Sequence, residues 1–334
     1  MHNKVYDKVI RFIKENLWFF ISLIVIIVLF TVELPYVVEM PGGYISLNDR
    51  VKIEGKDNID SNMGMAYVTM LKWNLPFLVF SYINSDYDIV PKERLNYENE
   101  TSNEYEKRDK LLLNEAVSNA TISAYSEAGE YYKINDTKIY VSRVINDQSE
   151  LKVGDNIIKV DDIKVNNIND VRNYVNTLSV NDVVNVTVIR DNKEINVKST
   201  LINSEDKLLL GVTIVNNYDI TTDPKVDIKS KYNESGPSGG LMMALTIYDK
   251  LTSSNLSKGD KIIGTGTISS DGLVGTIGGV KYKLIGAVNN KAKVFLCPKG
   301  NYEEALKIKE ERNYDIIIKD VETLNEAIKF LKSR

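Results

Sequence analysis

Residues 234–241 read Glu-Ser-Gly-Pro-Ser-Gly-Gly-Leu (ESGPSGGL) and lead directly into an apolar helical pattern that runs from Leu241 to Leu251. Proline suits the first turn of a helix, and glycine lets a backbone approach closely. We therefore expect Ser238 at a helix N-terminus, where unpaired amides can stabilise an oxyanion. The alternative is a plain helix N-cap, which spacing alone favours over a catalytic serine.

A second glycine-rich stretch covers residues 264–283, GTGTISSDGLVGTIGGVKYK. A glycine-rich loop that ends in lysines can cradle a phosphate, but the spacing G-x-x-x-x-G-K-[ST] occurs neither here nor elsewhere in the chain. Nucleotide binding is therefore a weak interpretation. Taken alone, Lys281 and Lys283 are typical of solvated helix residues.

Together the two stretches closely resemble the proteolytic domain of the Lon family of serine peptidases. That family carries G-P-S-A-G around its nucleophile and, some forty residues later, T-G-x-I-x-x-x-G-x-V-x-x-I-G-G-x-x-x-K. Matched residue by residue, the resemblance implies a nucleophile at Ser238, a dyad lysine at Lys283 and a supporting threonine at Thr265. The motif also includes the residues that flank the nucleophile, Gly236, Pro237 and Gly239.

The match departs from the family pattern at two positions. Gly239 stands where the family usually has alanine, and Ser235 stands where ATP-dependent relatives often have an acid, a role for which Glu234 is a candidate substitute. Neither change removes a member of the dyad. Helix geometry alone does not separate Lys283 from Lys281, since each has apolar neighbours three or four positions away. Only the resemblance selects Lys283.

The composition restricts the possible chemistry. The 334 residues include 42 basic and 46 acidic side chains, a net charge of −4 that argues against a dedicated nucleic-acid binder. One cysteine, Cys297, allows no intrachain disulfide and no Cys-rich metal site, and the resemblance places it in a buried strand. The one histidine is His2, so any enzyme here works without a histidine in its folded domain, and we expect neither a metal nor a cofactor.

The N-terminal region contains an uncharged run from Leu17 to Val32, which predicts a transmembrane helix over 17–36 after a short segment, 1–16. A cleaved signal peptide is the alternative, but no small-x-small site follows the run. Basic residues precede it and acidic residues follow it, which predicts a cytoplasmic N-terminus and an extracytoplasmic remainder. These residues are Lys4, Lys8, Arg11 and Lys14 before the run, and Glu33 and Glu39 after it.

Residues 37–136 are predicted to form membrane-proximal strands followed by a helix. The apolar stretch 73–83 is interpreted as a buried strand, with a segment in the lipid interface as the alternative. Apolar residues at helical spacing predict an amphipathic helix from Ser102 to Ala128 that ends at Gly129.

Residues 137–204 alternate apolar and polar residues around one short helical patch, Ile168 to Leu178, which predicts a small β-rich domain. The predicted strands are Ile139–Val141, Asn156–Val160, Val184–Ile189 and Glu194–Val197. Its centre, residues 151–163 (LKVGDNIIKVDDI), resembles the signature of bacterial PDZ domains. PDZ domains add an extended peptide to a sheet edge. The loop expected for this, before Ile139, lacks a glycine-rich sequence, so a structural spacer is the alternative to a peptide-binding module.

Residues 205–334 alternate strand-like and helix-like runs, which predicts an α/β domain. The resemblance given above implies that this domain is of the Lon proteolytic type. The strand-like runs are Leu208–Val215, Lys261–Thr267, Lys293–Cys297 and Asp315–Ile318, and the helix-like runs are Leu241–Leu251, Val280–Val288 and an amphipathic C-terminal run from Val321 to Leu331. The whole order resembles membrane-anchored, ATP-independent Lon-like peptidases with a PDZ domain from Gram-positive bacteria. The resemblance implies a serine endopeptidase with peptide or protein substrates, lipid contact through the N-terminal helix, no ATP, no nucleic-acid partner and a possible ring-shaped homo-oligomer. The competing interpretation is a non-catalytic anchor that recruits a partner through the PDZ domain.

Overall fold

The structure is a computed structural model that describes residues 2–32, 34–56, 59–72, 75–92, 100–204, 207–230 and 236–334. Glu33 of the charge-bias prediction, and Glu234 and Ser235 of the motif, lie outside the described residues. The chain divides into two compact units. The first comprises Met1–Pro41 and Val68–Glu98, and the second comprises Gly42–Tyr67 and Asn99–Arg334.

The described residues form helices and strands over most of their length. The helices are α1 (His2–Glu15), α2 (Leu17–Thr31), α3 (Leu75–Ile83), α4 (Ser102–Ala128), α5 (Ile168–Val175), α6 (Gly240–Thr252), α7 (Val280–Asn289), α8 (Lys299–Glu311) and α9 (Leu324–Ser333). The strands are β1 (Tyr36–Ser46), β2 (Val51–Ile53), β3 (Met63–Lys72), β4 (Asp88–Pro91), β5 (Tyr131–Val144), β6 (Asn156–Val160), β7 (Ile163–Lys164), β8 (Val183–Arg190), β9 (Lys193–Thr200), β10 (Ile202–Ser204), β11 (Lys207–Leu209), β12 (Val212–Asp223), β13 (Val226–Ile228), β14 (Ile262–Gly264), β15 (Thr267–Ile268), β16 (Val274–Gly275), β17 (Val294–Pro298) and β18 (Ile317–Val321).

The N-terminal apolar run is helical, as predicted. In the described part of the chain no single helix has both the length and the apolar character needed to cross a bilayer. The pair Lys8–Glu15 and Leu17–Thr31, bent by 71°, meets the requirement on length and composition when its two helices are taken together. A membrane span therefore stays a prediction.

The interpretation of residues 73–83 as a strand is wrong, because Leu75–Ile83 form the helix α3. Residues 73–74 lie outside the described part. Pro76 occupies the first turn, where a helix does not need its missing N–H. The run is apolar at nearly every position, so it shows neither the period of a strand nor that of a helix. The hydropathy pattern was therefore not informative here.

The predicted helix from Ser102 to Ala128 is confirmed as α4. Thr101 and Glu104 form a capping box at its start, which satisfies two otherwise unpaired amides. Gly129 ends the helix with φ of 71°, a left-handed conformation that glycine adopts without strain.

The β-rich domain forms one sheet in the order β12-β5-β6-β8-β9, and the predicted strands and the helix α5 are confirmed. The strand predicted from Leu208 to Val215 divides into β11 and the start of β12, and β12 belongs to this sheet rather than to the α/β part. The position predicted for a peptide-binding loop, before Ile139, is wrong. Ile139 of β5 pairs on one side with Asn216 of β12 and on the other with Ile157 of β6, which leaves no free edge there.

The α/β part of the second unit contains parallel strands in the order β18-β17-β14-β3, with α6 to α9 around them. The predicted helices in this part are confirmed, but α8 was missed because its sequence is mostly charged and few of its side chains are buried. Cys297 lies in β17 and is fully buried, as expected, and burial raises the pKa of its thiol to about 12. The main core surrounds α6, whose residues Gly240 to Leu251 are all buried.

Candidate active site

Ser238 lies immediately before α6. The N-cap position belongs to Gly239, which has no side chain, so Ser238 does not act as the N-cap. The Gly240 amide donates to the Pro237 carbonyl at 3.1 Å and forms a tight turn around the serine. Gly236, with φ of 83°, supplies a left-handed residue before this turn. The half-buried serine hydroxyl is therefore not engaged in capping the helix.

The glycines after Ser238 allow close packing. A Cβ at Gly240 would lie 2.8 Å from Cγ2 of Ile268. A Cβ at Gly239 would lie closer to Sδ of Met65 than real Cβ atoms do. Met65 of β3 thus occupies the space that an alanine methyl would need at 239. Sequence reasoning missed Met65, and no local motif marks it.

Thr265 connects the end of β14 with the backbone of Ser238. Its side chain is fully buried, and its amide donates to the Leu296 carbonyl at 2.9 Å. The Thr265 hydroxyl donates to the Ser238 carbonyl at 3.0 Å, and the Gly266 amide donates to the same carbonyl at 2.8 Å. Two hydrogen bonds therefore fix the Ser238 backbone against this loop.

Lys283 lies in the first turn of α7, and only 4% of its surface is exposed. Its Nζ donates to Oγ1 of Thr265 at 3.2 Å, so the threonine hydroxyl connects the lysine with the serine backbone. Among the described residues no carboxylate forms an ion pair with this amine. Burial lowers the pKa of Lys283 from 10.5 to about 8, which makes the neutral amine accessible near physiological pH.

Lys281 differs from Lys283 in both burial and contacts. It is half-buried, and its ammonium lies 5.3 Å from the ring centroid of Tyr282. The two lysines, which helix geometry did not separate, are therefore distinguished by their environments. Thr265 lies within hydrogen-bond distance of both the Lys283 amine and the Ser238 backbone. The structure therefore brings together the three residues that the resemblance selected from the two motifs.

Asn301 is a supporting residue to which the sequence assigned no role. Its Oδ1 accepts the Ile277 amide and its Nδ2 donates to the Ile277 carbonyl, each at 3.0 Å. This pair of bonds fixes the loop that precedes α7 and therefore the start of the helix that carries Lys283. Its place three residues after Pro298 is the feature of the sequence that could have marked it.

A cleft of about 700 Å³ lies between α4, β12 and β13. Its lining includes Val117, Thr121 and Tyr218, but neither Ser238 nor Lys283. We therefore identify the candidate site by its chemistry and hydrogen bonds, not by this cavity.

Comparison with known families agrees with this geometry. Residues 224–333 match the Lon protease (S16) C-terminal proteolytic domain, and residues 117–201 match the PDZ domain. The Lon protease of Haemophilus influenzae is 36% identical over 97 residues, which are 29% of this chain and 12% of that protein. The Lon protease of Campylobacter concisus is 32% identical over 148 residues, which are 43% of this chain and 18% of that protein.

A solved structure is similar to part of the chain. The PDZ domain of the SdrC-like protein from Listeria monocytogenes is 22% identical and covers 25% of this chain and 93% of that chain, with a TM-score of 0.23. The chain spans less than a fifth of the length of the two Lon proteases above. It contains a serine peptidase domain of the Lon type and a PDZ domain.

Proposed function

We propose that the chain is an endopeptidase in which Ser238 is the nucleophile, Lys283 is the general base and Thr265 positions both. The strongest support is the contact between the buried Lys283 amine and the Thr265 hydroxyl, which also binds the Ser238 carbonyl. A lysine whose pKa is lowered by burial can accept a proton from a serine, which an ordinary surface lysine does poorly at neutral pH.

The reaction begins when the neutral Lys283 amine accepts the Ser238 hydroxyl proton while Oγ forms a bond to the peptide carbonyl carbon. The carbonyl oxygen becomes an oxyanion. The amides of Gly240 and Leu241 already bond to protein carbonyls, so we assign the oxyanion to the amides of Ser238 and Gly239. The C–N bond then breaks, and the Lys283 ammonium returns its proton to the leaving amine.

Water completes the cycle on the acyl-enzyme. Lys283 accepts a proton from the water while the water oxygen attacks the ester carbon. When the carboxylic acid product leaves, Lys283 returns that proton to the Ser238 oxygen. Each step uses one base that alternates between the amine and the ammonium, so the reaction needs no histidine.

The proposal includes membrane anchoring through α2, with the N-terminus in the cytoplasm and the peptidase outside. It is supported by the 15 residues of α2, which carry no charge, and by the basic residues before them. Protease added to intact, wall-stripped cells should digest the chain beyond Tyr36. Complete protection would contradict this orientation.

The PDZ domain is proposed to hold part of a peptide substrate by strand addition. β12 lies at one end of the strand order of its sheet, beside α5, where the Ile168 amide donates to the Asn216 side chain, and we propose this edge as the peptide site. Deletion of residues 137–204 is expected to impair cleavage of a long substrate more than that of a short peptide. Equal losses would favour a spacer.

Because no G-x-x-x-x-G-K-[ST] motif occurs in the sequence, we propose that cleavage does not require ATP binding by this chain.

The decisive experiment treats the full chain in detergent with a fluorophosphonate probe and a fluorogenic peptide. We expect the parent and Lys281→Arg to be labelled and to cleave the peptide. Ser238→Ala and Lys283→Arg should do neither, because one lacks the oxygen and the other carries a cation that cannot accept its proton. Cleavage by Ser238→Ala would favour a different nucleophile, and an unlabelled, folded parent would favour the non-catalytic anchor.

A further inference from the structure

We propose that α3 inserts into the lipid interface beside α2 and is a second membrane contact of the chain. This inference rests on the proposed anchoring through α2, and both elements belong to the first compact unit. The surface that we expect α3 to contact is the boundary between the lipid headgroups and the acyl chains.

The first observation is the exposure of an uncharged helix. The sequence of α3, LPFLVFSYI, contains no charged residue. Four of its large side chains lie mostly outside the protein: Val79 is 58% exposed, Phe80 54%, Tyr82 86% and Ile83 79%. Soluble proteins rarely expose so much contiguous apolar surface, and such a surface marks a contact with a partner or a membrane.

The second observation is the position of α3 relative to the end of α2. The helix α2 ends at Thr31, and Pro35 lies four residues later, where its carbonyl accepts the Lys92 amide at 3.0 Å. β4 pairs with the first residues of β1, with Pro91 opposite Tyr36. Because β4 follows α3 after a four-residue turn, α3 lies close to the point where the chain leaves α2. The two helices are in contact.

The third observation concerns length and favours lipid over a protein partner. The 15 residues of α2 extend about 22 Å at the usual helical rise, which is less than the roughly 30 Å of a hydrocarbon core. A short span leaves apolar thickness to be filled next to its end. An apolar helix in contact with α2 meets that requirement.

The aromatic residues of α3 suit this depth. Phe77 and Phe80 pack around Tyr87, with ring centroids 6.4 and 6.2 Å from that of Tyr87. Tyr82, the most exposed of the four side chains, has an apolar ring and a polar hydroxyl. Aromatic residues with a polar end concentrate at membrane–water interfaces, where both parts are satisfied.

The test uses single tryptophans in the full chain, reconstituted in vesicles whose phosphatidylcholine and phosphatidylglycerol carry brominated acyl chains. Bromine quenches tryptophan only at short range, so quenching reports contact with acyl chains. The chain has two tryptophans, Trp18 in α2 and Trp73. Trp73→Phe keeps Trp18 as the reporter of the anchor, and Phe80→Trp in the double Trp→Phe background reports on α3.

Ile163→Trp in the same background is the matched control, because Ile163 is exposed on the β-rich domain. We expect at least twofold quenching of Trp18 and of the α3 reporter, and no quenching of the control. Val79→Trp replaces Phe80→Trp if the latter does not fold. Quenching of Trp18 with an unquenched α3 reporter would overturn the α3 proposal and keep the anchor. If neither is quenched, the anchor and the α3 proposal both fail.

Discussion

Two lysines of the second unit are buried to nearly the same extent: Lys250 near the end of α6 is 3% exposed and Lys283 in the first turn of α7 is 4% exposed. Lys250 donates to the backbone carbonyls of Asn48 and Val51, at 2.6 and 2.8 Å. Lys283 donates at 3.2 Å to a single side-chain hydroxyl, that of Thr265. The two sites therefore differ in partners, not in burial.

This difference separates a lysine with structural partners from the lysine that we propose as the base. A buried ammonium is costly unless acceptors replace its water, and two carbonyls at short distances do so for Lys250. One hydroxyl is a poorer replacement, so burial shifts Lys283 toward the neutral amine. The buried Asp155 follows the first pattern, because Arg190 contacts its carboxylate at 2.6 Å. Charged groups with complete sets of partners hold the fold, whereas the incompletely solvated amine is the candidate base.

The largest expected effect comes from Lys283→Met, which removes the proposed base. We expect peptidase activity to fall by about 10³-fold or more. We also expect the free energy of unfolding at pH 7 to rise by on the order of 3 kcal/mol, because a buried charge is replaced by an apolar chain of similar size. Peptide cleavage and urea unfolding of the same sample measure both. A less stable variant would break the comparison.

Lys250→Met is the matched change at the other lysine, with the opposite expectation. It leaves two buried carbonyls without a donor, which should lower the free energy of unfolding by about 3 kcal/mol. The turnover rate per folded molecule should remain that of the parent, because Lys250 donates to the carbonyls of Asn48 and Val51, whereas it is Lys283 that donates to Thr265. A folded Lys250→Met protein without activity would contradict this expectation, because it would give a catalytic role to the lysine that we assign to the fold.

The protonation of Lys283 should determine how both activity and stability depend on pH. Activity should rise about tenfold per pH unit up to the pKa of Lys283, about 8, and then level off, because only the neutral amine accepts the serine proton. Between about 8 and 10.5 the unfolded chain holds a proton that the folded chain has lost, so stability should increase with pH in this window. Below it, both states are protonated and the dependence disappears. Lys283→Met should abolish this increase, whereas retention of the slope would assign it to another group.

The elements that sequence could predict are those with a local signal. The three candidate site residues Ser238, Thr265 and Lys283 stand in two continuous motifs, and it is these motifs, not the hydrogen bonds between the residues, that sequence could predict. The helix α4 has a cap at each end and an apolar repeat. These features need no knowledge of the rest of the chain.

The remaining features depend on distant partners. The stretch that became α3 is apolar throughout, so its pattern contains no period from which to choose a helix. β12 joins the PDZ sheet through pairing with β5, whose paired residues lie 68 (Val212 with Val144) to 92 (Asp223 with Tyr131) positions earlier, which no local pattern specifies. Lys250 stands in the last turn of an apolar helix, as many surface lysines do, and only the approach of Asn48 and Val51 makes it a buried donor.

The smallest expected effect tests the partner that distinguishes Lys283. Lys283 donates to a side-chain hydroxyl, whereas Lys250 donates to backbone carbonyls. Thr265→Val therefore removes the acceptor of Lys283 with little change in side-chain shape. The Ser238 carbonyl keeps the Gly266 amide at 2.8 Å, so we expect the fold to persist and kcat to fall by about 10- to 100-fold. The ammonium loses its described acceptor, so the pKa of Lys283 should fall further and the acid limb of the pH–rate profile should move to lower pH.

Thr265→Ser keeps the hydroxyl and should restore both values. Thr246→Val, another fully buried threonine, whose hydroxyl donates to Met242 within α6, is the control for loss of a hydroxyl and should leave the limb in place. An unchanged limb in Thr265→Val would mean that the threonine does not position the base, and the distinction between Lys250 and Lys283 would then rest only on the two carbonyls that Lys250 binds.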